Sequence, residues 1–574
     1  MENENTPLTT APASGMSTPA YESERLTFTP RRAMASFDNL VALANHQERL
    51  REARKMVWRD RGEPVAELDN LKACLEHAAK GGFRSATLGF NIRACINLVL
   101  ALIRLNRVPK NHRFALIRHA IFGLDTWRFA AMFGTFTGLY KFLINALPIL
   151  IPAINPKKTE EKPSANRRRG RGPSLDNPTS MVEVALPEHK ARLSLSAHAQ
   201  MIFLRKKTRR WHAALAGALA GGLAIMWEKR SRRGIIAQQL FVRGLQGTYN
   251  SFSTKHNIHI PHGDVLVFAL ACGQIMFAFL IRPDTLPRSY RNWIGEAAKV
   301  PRQCVDINHG LVRENQFDVR SLDQLCARAD ITPANLTDLM NVRELFYPAS
   351  ASATRDPSTY YPKYAPCSAV HPALTSCKAV PLDRFFAVFK WMLPIYGALH
   401  FIPPILFKSK TFVNNPRRVM IRAGLGSIRS SAFLGVFVVI YQTLFCYKHY
   451  LHRNLTELKL KPSHATALAA IPQSTIDILI SKGSFWLLGF AAGLALFIEE
   501  KRRRGELAMY VLPKGLESLW VAARGKGLVF KTGKWGETLL TTIGMAMVMS
   551  TYQNDPQHLS GLVRRILYQF IGPN

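Results

Sequence analysis

Cys367-Ser368-Ala369-Val370-His371-Pro372-Ala373-Leu374-Thr375-Ser376-Cys377 gathers the side chains best suited to chemistry. Two thiolates and an imidazole can ligate zinc, and Asp383 or another cysteine could complete a four-ligand set. Cys367 and Cys377 could equally form a disulfide, or be structural and do no chemistry. The spacing follows no strong zinc signature, so the three readings stand side by side. His256, His259 and His262 fall three apart and would share a face on a helix. Pro261 and Gly263 argue instead for a loop entering a helix, with Asp264 as its N-terminal cap.

Glu228, Glu499 and Glu500 each precede a basic cluster. They could be substrate or ion ligands at the edge of a membrane. Their plainer reading is interfacial: acids and long basic side chains reach the headgroups, and Arg230, Arg232, Arg233, Lys501, Arg503 and Arg504 contact anionic lipid phosphates. Gly515, Gly525, Gly527, Gly533 and Gly536 lack the strand-to-helix context and the Gly-Lys-Ser/Thr ending of a nucleotide-binding loop. Neither a Ser/His/Asp triad nor a carboxylate pair is in sight. No enzyme and no cofactor are expected.

The elements that must position these residues are apolar blocks of about 17 to 25 residues, the length that spans a bilayer as a helix. They fall near 88–105, 129–151, 213–227 and 265–281, and again near 385–406, with the shorter apolar cores of further helices near 432–445, 485–498 and 539–549, the last of them the shortest. Gly134 and Gly138, Gly217 and Gly221, and Gly489 and Gly493 are small residues four apart, which let a neighbouring backbone approach closely; Gly435 stands at the place of Gly134 in the second set. Gly222 to Gly234 and Gly493 to Gly505 carry one pattern in register: small residues, an apolar run, an acid, a basic cluster and a glycine. Arg128, Ala131, Gly134, Phe136 and Tyr140 likewise match Arg429, Ala432, Gly435, Phe437 and Tyr441, and Gly263, Asp264 and Met276 match Gly536, Glu537 and Met549. The chain thus reads as an all-α membrane protein of two related modules of about four helices each. With four helices per half, the second half should enter from the same side as the first; an odd number would invert it.

The net charge of +37, from 76 basic and 39 acidic residues, fits an anionic membrane surface, because the basic residues flank apolar blocks rather than accompany a strand platform of exposed aromatics. Nucleic acid is not an expected partner; membrane lipids are, with other organelle membrane proteins or further copies of the chain beside them. Residues 1–80 read as a disordered start plus an amphipathic helix near 34–61, without a secretory signal or a mitochondrial presequence. A first membrane module covers 81–290 with a flexible basic linker at 155–178, a soluble insert with the Cys/His element covers 291–380, and a second module covers 381–574. Eight cysteines in 574 residues do not make a disulfide scaffold.

Pro261-His262-Gly263-Asp264 leading into an apolar helix, the ending Arg282-Pro283-Asp284-Thr285-Leu286-Pro287-Arg288-Ser289-Tyr290, and the Gly/Ala-rich helix followed by charge resemble the transmembrane protein 135 family, in a fungal-type version. The resemblance runs from about residue 75 to the C-terminus. The Cys367, His371 and Cys377 element is similar to that family's cysteine-rich region, although it lies before the second module and holds few cysteines. The resemblance implies a polytopic membrane protein of the mitochondrion or peroxisome, acting in lipid or metabolite homeostasis and organelle dynamics as a transporter or scaffold. Its helical modules are similar to the Tim-type translocase and peroxisomal membrane protein superfamily, which makes a protein-translocation channel the alternative. A membrane enzyme using the Cys/His element is the third possibility.

Overall fold

The structure, a computed structural model, describes residues 68–151 apart from 69, 106 and 107, then 210–347, 361–460 apart from 408, and 471–572. The helix expected near 34–61 and the linker at 155–178 lie outside them. Every regular element among the described residues is a helix.

Among the described residues, five helices are long and apolar enough to cross a membrane: Leu71–Arg104, Lys110–Leu150, Gly263–Ile281, Val380–Ile405 and Pro416–Lys459. A sixth is added if Gln473–Ile480 and Lys482–Ile498, which meet at 47°, count as one broken span. The chain therefore has the build of a polytopic membrane protein, with fewer full-length apolar spans than the eight blocks led one to expect. Two blocks fall short for different reasons. The described helix Arg210–Ala224 holds 15 residues, about 22 Å against the ~30 Å of a bilayer core. Gly536–Asn554 has 19, but Thr541, Thr542, Thr551 and Gln553 dilute its apolar character.

Helices α1 (Leu71–Arg104), α2 (Lys110–Phe122) and α3 (Leu124–Leu150) open the chain. α1 and α3 meet at small residues, where a Cβ on Gly134 would stand 2.9 Å from the Ala86 Cβ. In the same seam Thr137 donates to Ser85 (2.8 Å), which donates to the Phe133 carbonyl (3.2 Å). α4 (Arg210–Ala224) tightens into a 3-10 turn over Ile225–Trp227, the chain breaks at Glu228, and α5 (Arg230–Lys255) and α6 (Gly263–Ile281) follow.

Short helices α7 (Arg288–Ala298), α8 (Arg302–Glu314), α9 (Val319–Cys326), α10 (Pro333–Phe346) and α11 (Cys367–Val370) form the insert. Thr332 caps α10, its hydroxyl accepting from the Asn335 amide, where the sequence interrupts the helical pattern. Cys304, Ile307, Leu311, Leu322 and Leu339 of the insert share one core with Ile275 to Ile281 of α6. α12 (Val380–Phe407), α13 (Ser409–Asn414), α14 (Pro416–Leu460) and α15 (Gln473–Asp477) come next. α16 (Lys482–Gly493) ends in a 3-10 turn over Leu494–Ile498 and breaks at Glu499. α17 (Lys501–Gly525), α18 (Gly536–Asn554) and α19 (Gly561–Ile571) complete the fold.

Gly134 and Gly138 pack on α1 and Gly435 on Phe385, inside their own halves, but the stripes of α4 and α16 close contacts with the other half. Cβ atoms on Gly217 and Gly221 of α4 would meet Met549 and Met545 of α18, each 2.6 Å from a methionine Cβ. Those on Gly489 and Gly493 of α16 would meet the Cys272 carbonyl oxygen (2.8 Å) and the Ala269 Cα (2.5 Å) of α6. Both contacts run antiparallel. After each break the direction flips: Gly244 and Gly247 of α5 meet Gly544 and Thr551 of α18 in parallel sense, as Gly515 and Ser518 of α17 meet Ala271 and Gln274 of α6. Each Gly-rich helix and the helix after it therefore form a hairpin that clasps a helix from the other half of the chain.

The two hairpins point in opposite directions. α5 starts at the Glu228 break, and seven residues beyond its end the His262 ring touches Phe497 at the Glu499 break, ring centroids 5.2 Å apart. In return, α17 starts at the Glu499 break, and beyond it Glu537 reaches to within 3.5 Å of the Cβ position of Gly234, beside the Glu228 break. The two hairpins are therefore inverted with respect to one another, where two sets of four helices would set them parallel.

Candidate functional site

Both breaks bury a glutamate. Glu228 and Glu499 are each 2% exposed, so neither lies among headgroups as the interfacial reading supposed. At the first break the Glu228 carboxylate accepts from the Lys229 amide (2.8 Å) and Arg232 Nε (3.0 Å). Arg233 donates to the carbonyls of Glu228 (2.8 Å) and Met226 (2.5 Å). At the second, Arg503 lies 3.4 Å from Glu499, and Arg504 donates to the carbonyls of Glu499 (3.0 Å) and Phe497 (2.6 Å). Arg233 and Arg504 thus satisfy carbonyls left open where a helix ends. Arg230 and Lys501 stay exposed.

The networks differ in one carboxylate. Asp125, at the start of α3, binds Arg93 (Nε at 2.9 Å), Lys229 (2.9 Å) and Arg232, and so gathers three cations around one acid. Three residues before the matching arginines, Asp125 precedes Arg128 and Gly426 precedes Arg429. Having no carboxylate there, Arg503 turns to His400 Nε2 (2.5 Å) and Ser430 Oγ (2.9 Å), and Ser430 donates to Glu499 (2.8 Å). A cavity of about 680 Å³ opens beside them. Arg417, Arg418, Arg422, Arg429 and Arg503 line it with Glu499 and Glu500, and exposed Ile421 and Leu425 add apolar wall. None of Arg417, Arg418, Arg422 and Arg429 forms an ion pair among the described residues.

A second constellation lies at the other end of α14. The structure joins Cys367, His371 and Cys377 with Cys446 of α14, their donor atoms all within 4.8 Å of one another. His371 Nε2 is 3.3 Å from Cys377 Sγ, while its Nδ1 is 2.9 Å from the Leu374 carbonyl oxygen. The loop is held from α10: the Asn335 amide group donates to the carbonyls of His371 (3.3 Å), Pro372 (2.8 Å) and Leu374 (2.9 Å). All eight cysteines are free, so the disulfide between Cys367 and Cys377 is not formed. Hydrogen bonds with Cys367, Cys446 and His371 hold the Cys377 thiol well below its ordinary range. Burial opposes a charge on His371, but hydrogen bonds with Cys367 and Cys377 outweigh it and raise the imidazole to about 10. Asp383, the other candidate for a fourth ligand, pairs instead with Arg384 (3.5 Å).

His256, His259 and His262 form no such cluster. His262 itself is the cap position of α6, in left-handed backbone (φ 54°), and Asp264 sits inside the first turn, accepting from the Val265 amide at 2.9 Å. Asp125, Cys446 and the arginines at 417, 418, 422 and 429 join these sites although no motif in the sequence marks them. Cys446 has no local spacing to betray it, because 69 residues separate it from Cys377. The matched register of Arg128 and Arg429 does hold the Asp125 and Gly426 difference. No known family model matches the chain, and no solved structure matches it.

Proposed function

We propose that this chain is an organelle membrane protein, of the mitochondrion or peroxisome, that binds anionic amphiphiles in a basic cavity as part of lipid or metabolite handling, without catalysis. The difference between the two breaks carries this reading. Two sequence-related halves, inverted with respect to one another, repeat the buried glutamate and its arginines. Only the first supplies its own acid, Asp125. The second leaves five arginines around a cavity that holds two glutamates, one of them already committed to Arg503 and Ser430. An anionic headgroup can take the place that Asp125 fills, and guanidinium groups suit phosphate and carboxylate through paired hydrogen bonds. Ile421 and Leu425 offer apolar surface to the chain attached to such a headgroup. The cavity lies just before the apolar run of α14 that begins at Ala432, a depth at which headgroups sit. The resemblance to the transmembrane protein 135 family supports the lipid context and the organelle.

Native mass spectrometry of the full chain, released from phosphatidylcholine vesicles with and without phosphatidic acid, tests this. The anionic lipid should stay bound to the unaltered chain and be lost from Arg422→Gln/Arg429→Gln, two exposed positions where the fold is not at stake. Inorganic phosphate should compete weakly; competition as strong as that of the lipid would assign the cavity to a soluble anion. Gly426→Asp, combined with His400→Ala to remove the ring that a Cβ there would meet at 2.5 Å, should abolish binding by restoring the internal acid. Equal lipid retention by the unaltered chain and both double variants would sink the reading.

A further inference from the structure

We infer that Cys367, His371, Cys377 and Cys446 form a structural zinc site that fastens the insert to the membrane helices. This inference does not depend on the anion-binding cavity.

Three sulfurs and one imidazole nitrogen are a complete tetrahedral donor set, and such soft sets select zinc among common divalent ions. Around zinc, with bonds of about 2.3 Å to sulfur, neighbouring donors stand about 3.8 Å apart. Here all four donors lie within 4.8 Å, and the His371 Nε2 to Cys377 Sγ separation is 3.3 Å, so small side-chain shifts complete the geometry. The imidazole is already aimed. Its Nδ1 is held by the Leu374 carbonyl, which leaves Nε2 as the ligand atom, and a backbone carbonyl on the far nitrogen is a usual partner of metal-bound histidine. Asn335 in turn fixes three carbonyls of that loop.

Binding would displace three protons to solvent from the four ligands taken together, leaving three thiolates and a neutral imidazole on Zn²⁺ in a centre of charge −1. A counter-ion stands ready in Arg384 of α12, 9% exposed and within Coulombic range of Cys446. Its guanidinium pairs with Asp383 at 3.5 Å, but its Nε has no hydrogen-bond partner among the described residues and is left to face added negative charge. All four ligands come from protein, so no coordination position is open for substrate and the role is structural. Cys367 and His371 belong to α11 and the loop after it, Cys377 precedes α12, and Cys446 lies within α14. One ion would hold the end of the insert and the start of α12 against the upper part of α14.

The full chain, purified in detergent without chelator, should carry about one zinc per chain by elemental mass spectrometry. Cys377→Ser and Cys446→Ser should fall to background, while Cys304→Ser, at a buried thiol outside the cluster, should keep its zinc. Cobalt exchanged into the unaltered chain should give the thiolate charge-transfer and tetrahedral bands. Cys377 is exposed, yet maleimide should label it slowly until zinc is stripped with chelator and quickly afterwards; this reading needs no variant and stands even if Cys446→Ser misfolds. Absence of zinc from the unaltered chain, stoichiometric iron or copper in its place, a Cys367–Cys377 disulfide in the unreduced protein, or labelling of Cys377 indifferent to chelator would each overturn the inference.

Discussion

Two glycines of similar sequence setting answer to opposite physics. A Cβ at Gly493 would stand 2.5 Å from the Ala269 Cα, a backbone atom that cannot turn aside, whereas a Cβ at Gly505 would meet nothing within 4 Å. Gly493→Ala should therefore force α16 away from α6 and cost about 1–3 kcal/mol, the usual range for overfilling a closed contact. Gly505→Ala, inside α17, should gain about 0.5–1 kcal/mol by relieving glycine's entropy cost in a helix. Thermal unfolding midpoints in one detergent should move down for the first and up for the second; equal shifts would show that α6 does not lie against α16. At this scale the sequence was partly legible. Small residues four apart announce a close approach, and a Cys/His run announces possible ligands. Neither announces the partner: Cys446 and Asp125 join their sites only through the fold, and the buried state of Glu228 depends on a break that turns its side chain inward.

The breaks are the elements through which that inward turn is made. A run such as Ala224 to Trp227 looks from its residues like the end of a span with a basic anchor outside it. In the fold, Arg233 and Arg504 close the preceding helix end through its carbonyls, and the chain returns as an amphipathic helix on the other side of a clasped one. Helical periodicity gave the helices, but neither their pairing nor the reversal, because the residues that decide both, Met545 and Met549 against Gly217 and Gly221, lie over 300 positions away. The clasp has a direct readout. Ala271 Cβ lies 3.3 Å from the Cβ position of Gly515, near the separation of about 3.8 Å that a disulfide needs. In a Cys272→Ser background, Ala271→Cys/Gly515→Cys should cross-link on mild oxidation within a single chain, seen as a monomer of altered mobility that has lost two hydrogens. A cross-link found only between two chains would mean that α6 is exchanged between copies; no cross-link would remove the clasp.

At the scale of the whole molecule, the clasps fix which ends of the helices share a face. α6 begins beside the Glu499 break, where Val265 and Phe268 share a core with Ala495 and Leu496, and ends in the core of the insert. α5 begins at the Glu228 break and, over 26 residues and about 39 Å, runs back to the level of the Glu499 break. The Glu228 break and the insert therefore belong to one face, and the Glu499 break with its arginine-lined cavity to the other. For the membrane arrangement we propose, inverted halves would carry their basic clusters to both faces, and the simple charge rule for orientation would have no single side to choose. Exposed cysteines at Arg230→Cys, Asn315→Cys and Lys501→Cys, each made in a Cys95→Ser chain that keeps Cys377 and read against that parent chain, should report it in sealed vesicles. A membrane-impermeant maleimide added outside should label the first two alike and Lys501→Cys oppositely, with the pattern reversing for label trapped inside. Labelling of all three from one side would return the halves to a parallel arrangement and place the cavity on the same face as the insert.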